Sequence, residues 1–110
     1  MNADKPLRWM DGEIKTPPFS SRARVEAGFL LRLLQRGESL GMPHSRALPA
    51  IGPRCHELRI TGEGNIWRIF YHLAPGAVVI LGVLNKKTGA IPLSTLRNYE
   101  RRLKLYRSNT

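Results

Sequence analysis

Cysteine, acidic side chains and long apolar runs are all scarce in this chain, and each shortage excludes something. A single cysteine, Cys55, rules out an intramolecular disulfide and suits a reducing compartment. Paired metal-ligand spacing is missing too: His44, Cys55, His56 and His72 fall at no zinc-like interval, so neither a metal nor another cofactor is expected. The apolar run VVILGVL is far too short to cross a bilayer, and the first residues hold no uninterrupted apolar stretch. Membrane insertion and export are therefore not expected, and the cytoplasm is the expected location. No nucleophile elbow, phosphate-binding glycine loop or paired-carboxylate motif occurs.

Eight acidic residues against 18 Lys and Arg leave a net charge of +10. The excess is spread along the chain, with nine basic and five acidic residues in 1–56 and nine and three in 57–110. Charge of this sign points to a nucleic acid, an anionic membrane or an acidic protein as partner and carries no information about fold. At 110 residues the chain reads as one domain, 1–110, able to bury roughly two-thirds of its extended surface.

What is present is organised around residues 54–87. Three apolar-rich runs, RCHELRI, WRIFYHL and VVILGVL, are separated by turn signals at 61–65 and 74–76, which predicts an antiparallel meander. Alternation puts Leu58 and Ile60 on one face and Glu57 and Arg59 on the other. In the next run Trp67, Ile69, Tyr71 and Leu73 share a face, opposite Arg68, Phe70 and His72. With the polar faces in register, Arg59 and Arg68 stand side by side, and Lys86 and Lys87 follow the third run. Four cations around one concave surface repel one another unless an anion or a carboxylate offsets them.

Before the meander, Leu7 to Lys15 reads as an edge strand interrupted at Asp11-Gly12, and Thr16-Pro17-Pro18 ends it. Ser20 or Ser21 is positioned to cap a helix running to about Arg36, with Val25, Phe29, Leu30, Leu33 and Leu34 as its core stripe and Arg22, Arg32 and Arg36 on its wet side. Residues 38–53 carry Gly41, Pro43, Pro49, Gly52 and Pro53 and read as a long loop with at most one helical turn, from which His44 and Arg46 could reach a ligand. A last helix is expected from about Ser94 to Tyr106, docking through Leu96, Tyr99, Leu103 and Tyr106 and exposing Arg97, Arg101 and Lys104. The order β-α-loop-β-β-β-α describes an α+β domain, a small antiparallel sheet of about four strands with helices packed on one face.

Cleavage of RNA by its own 2'-hydroxyl needs a base, a stabilised phosphorane and a protonated leaving oxygen. Arg59 and Arg68 supply planar forks for the phosphate, and crowding by cations lowers a lysine's pKa, so Lys86 or Lys87 could also move a proton. His56 and His72 are the conventional acid-base candidates, weighed against structural roles. Arg54, His72, Arg97 and Arg101 are the candidate RNA contacts.

The combination of GPRCHELRI, WRIFYHL and VLNKKTGAIP, with MPHSR before and a basic helix ending RRLKLY after, resembles the HigB-like, phage-derived branch of the RelE/ParE toxin superfamily. The resemblance covers most of the chain. It implies a RelE-like fold, cleavage of messenger RNA, commonly on the ribosome, and neutralisation by a cognate antitoxin, often a helix-turn-helix protein. It also implies that Arg59, Arg68, Lys86 and Lys87 form the catalytic cluster. After Lys87 the chain reads Thr88-Gly89-Ala90-Ile91-Pro92, where the best-studied members often carry an aromatic or histidine. A gyrase-inhibiting, ParE-like toxin and a noncatalytic nucleic-acid-binding domain are the rival readings.

Overall fold

The architecture comes from a computed structural model that describes residues 4–12, 14, 18–62, 64–86 and 90–109, with Lys86 described by its backbone. In chain order the elements are β1 (Leu7–Trp9), α1 (Ser21–Gln35), β2 (Ser45–Ala47), β3 (Cys55–Thr61), β4 (Ile66–Ala74), β5 (Ala77–Lys86) and α2 (Leu93–Ser108). The strands form one five-stranded sheet in the order β1-β5-β4-β3-β2. The α+β reading holds, with two refinements. β1 joins β5 in parallel, making the sheet mixed, and the expected loop over 38–53 contributes a fifth strand, β2. Three residues are too few to leave a periodic signal, and β2 exists because β3 offers it an edge.

The meander is as expected. β3 and β4 pair antiparallel with Arg59 opposite Arg68, and β4 pairs with β5 with Ile66 opposite Lys86. Both faces of these strands are buried, so Phe70 and Tyr71, or Val79 and Ile80, are buried neighbours pointing opposite ways.

That double burial overturns the expectation of helices on one face. α1 packs on the side carrying Leu58, Ile60, Trp67, Ile69, Tyr71, Val78 and Ile80. α2 packs on the other side, against Phe70, Val79 and Leu81. The face read as cationic is therefore mostly a second core. Tyr99 anchors α2 there: its ring lies 4.6 Å from that of Phe70, over Gly82, where an added Cβ would collide with the Tyr99 ring. A glycine in mid-strand here makes room for an aromatic side chain.

In α1 the Ser20 side chain accepts a hydrogen bond from the Ala23 N–H at 3.1 Å, the expected cap. The core stripe is rotated from the expected one. Ala23, Ala27, Leu30, Leu31 and Leu34 face the sheet, whereas Val25 and Phe29 are 66% and 62% exposed. The two alanines let the helix axis approach the strands closely, which the larger Val25 and Phe29 would prevent.

Candidate active site at the open end of β3

β2 pairs with β3 only as far as Leu58. Beyond it the Arg59 N–H donates to the His44 carbonyl at 2.8 Å, so the end of β3 is bordered by the loop before β2. A cavity of about 230 Å³ opens there, lined by Glu26, Pro43, His44, Arg59, Thr61 and Ile66. A second cavity, also about 230 Å³, shares Glu26 and Thr61 and continues to Ser20, Arg22 and Gly62. Together they form a groove between the first half of α1 and the end of β3.

Of the four cations expected to act together, two have described side chains, and they differ sharply. Arg59 is half-buried, and among the described residues no carboxylate lies within ion-pair distance of it. Arg68, its partner across the ladder, is only 5% exposed, and its Nη1 lies 3.4 Å from Oε2 of Glu57. Glu57 is itself wholly buried, and its Oε1 accepts a 2.8 Å hydrogen bond from Nε of Arg46 on β2. Arg46, Glu57 and Arg68 thus make an ion triad across three strands. Leaving either arginine facing Glu57 unmatched would strand a buried charge. Lys86 opposes Ile66 across the ladder between β4 and β5. Lys87 lies outside the described residues.

The remaining expected contacts are dispersed. His72 follows Arg68 by four residues on β4, about 13 Å along the strand. It is buried, with Nδ1 donating to the Pro53 carbonyl at 3.0 Å when that nitrogen carries the proton. Burial, then the nearby Arg107 guanidinium, hold its pKa below the usual histidine value. His72 and the exposed Arg54 line a separate cavity of about 500 Å³ with Tyr106 and Arg107, at the opposite end of β4 from Arg68. Arg54 adopts a φ of 58°, a region that residues other than glycine seldom occupy. Arg97 and Arg101 are exposed on α2, Arg101 donating to Oδ1 of Asn98 at 3.0 Å. His56 lies on the α1 side, its ring stacked 5.3 Å from that of Tyr71, and burial depresses its pKa as well.

Sequence reasoning passed over Glu26 and the structural weight of Glu57, and it gave His44 no more than a peripheral contact. Glu57 could have been found, because it sits two residues before Arg59 and so shares its face. Glu26 and His44 come from α1 and from an irregular loop, and no spacing rule relates them to Arg59.

Among the described residues, no helix is long and apolar enough to cross a membrane, and no group of His, Cys, Asp or Glu could hold a metal ion. The family profile described as Phage derived protein Gp49-like (DUF891) matches residues 17–104. No curated protein and no solved structure shows a significant match.

Proposed function

We propose, from the premise that this chain belongs to the phage-derived Gp49-like family of RelE-like, toxin-like proteins, that it is the toxin of a toxin-antitoxin pair and an endoribonuclease. Its substrate on this reading is messenger RNA engaged with the ribosome, and its activity is held in check by a cognate antitoxin, a helix-turn-helix protein, in the cytoplasm. The observation that carries the reading is Arg59: a guanidinium that forms no ion pair among the described residues and lines a groove at the open end of a strand. Such a group aimed at a phosphodiester stabilises charge that grows on the phosphate oxygens as the bond breaks.

Arg68 acts on this reading through the Glu57 triad, which fixes β3 and β4 at the rung where Arg59 stands. Lys86 and Lys87 contribute positive charge that favours the polyanion. Arg54, His72, Arg97 and Arg101 serve as outlying contacts for flanking nucleotides. The net charge of +10 favours a polyanion over a purely protein-binding role such as gyrase inhibition.

Pulse expression followed by mapping of transcript ends tests the proposal. New internal ends within translated messages, absent with Arg59→Ala, are expected. DNA damage signalling with intact messages would instead assign the gyrase-directed reading. Salt-sensitive RNA binding without any cleaved product would assign a binding domain.

A further inference from the structure

Strand cleavage at Arg59 needs proton-transfer groups, and the two histidines expected to supply them are out of reach. Arginine stays protonated. His56 is turned to the α1 side, and His72 lines another cavity at the far end of β4. We infer that Glu26 and His44, which line the same cavity as Arg59, are the general base and general acid of RNA strand cleavage, the carboxylate, imidazole and guanidinium forming one catalytic set. This rests on the endoribonuclease reading and specifies how that site works.

Three elements bring these groups together. α1 carries Glu26, the loop before β2 carries His44, and β3 carries Arg59 and Thr61. His44 is tied to this place by its backbone. Its carbonyl accepts from the Arg59 N–H at 2.8 Å, and its own N–H donates to the Gly41 carbonyl at 3.1 Å. Glu26 is half-buried and joins no ion pair among the described residues. Among the described residues, the charged groups lining the cavity are Glu26, His44 and Arg59, with Arg22 in the adjoining one; β4 contributes Ile66, which opposes Lys86. The adjoining cavity, with Arg22 and the start of α1, suits the next phosphate of the strand, since a helix N-terminus favours an anion.

The Glu26 carboxylate takes the proton of the ribose 2'-hydroxyl, and the 2'-oxygen forms a bond to phosphorus. Arg59 stabilises the charge on the non-bridging oxygens. As the bond from phosphorus to the 5'-oxygen breaks, the His44 imidazolium gives that oxygen its proton. The products are a 2',3'-cyclic phosphate and a 5'-hydroxyl, and proton exchange with water returns both side chains to their starting states.

The test uses ribosomes programmed with a short message, the full-length protein, and Glu26→Gln and His44→Ala variants whose folding is checked by thermal melting. The wild type should give a bell-shaped pH-rate profile and the two end groups named above. Each variant should lose about a hundredfold or more in rate and one limb of the bell, the acidic limb for Glu26→Gln and the basic limb for His44→Ala. A message with sulfur replacing the 5'-bridging oxygen at the cut site needs no proton to leave. It should restore the rate of His44→Ala and not that of Glu26→Gln. Wild-type cleavage that both variants match in rate and pH profile would overturn the inference and leave the nuclease reading standing. A wild type that cuts no message under any condition would overturn both.

Discussion

Glu57 and Arg68 face each other inside the protein, Oε2 and Nη1 3.4 Å apart on neighbouring strands, the carboxylate with no exposed surface. The repulsion anticipated between Arg59 and Arg68 is therefore answered from within, and the two arginines differ in what they can do. Arg68 is committed to Glu57, while Arg59 faces the groove.

Substitutions should separate these roles. Arg59→Ala should lower cleavage about a hundredfold while leaving unfolding nearly unchanged. Arg68→Ala should cost about 3–5 kcal/mol, because Glu57 then keeps only the partly exposed Arg46. Chemical denaturation beside transcript cleavage checks both, and equal stability of the two variants would contradict the assignment.

Gly82→Ala should destabilise by about 1–3 kcal/mol, since the added methyl meets the Tyr99 ring and pushes α2 off the sheet. Adding Tyr99→Leu should recover part of the loss, a coupling readable in a double-mutant cycle of unfolding free energies.

Burial holds both His56 and His72 below the ordinary value of 6.5, so the folded chain takes these protons less readily than the unfolded one. Above 6.5 both states are neutral and the stabilisation is complete. As pH falls through 6.5 the unfolded state gains protons first, and stability should decline. Urea midpoints from pH 7.5 down to 5 should show this decline, and His72→Asn should make it shallower.

The Cys55 thiol is buried, and burial raises its pKa to about 11. Thiolate, the reactive form, is then scarce at neutral pH. A disulfide reagent should label the native protein far more slowly than the urea-unfolded chain, and comparable rates would show that β3 opens readily.

Leu30→Ala should cost about 2–5 kcal/mol, whereas Val25→Ser and Phe29→Ser should stay within about 0.5 kcal/mol. Thermal melting of the three variants decides whether α1 sits on the sheet by the face described.

The sequence by itself determined the three strands of the meander and the two helices. Apolar alternation, turn residues and the Ser20 cap are local signals, and the pairing of Arg59 with Arg68 follows once the hairpin closes. Only the tertiary structure decided which face of α1 is buried, because Ala23 and Ala27 beat Val25 and Phe29 through how closely the helix can approach the strands. It also decided that α2 takes the opposite face, through a gap at Gly82 that matters only when Tyr99 arrives to fill it. The groove at Arg59 was decided there too. Glu26, His44 and Arg59 lie far apart along the chain, and side chains brought together by folding leave no periodicity to read.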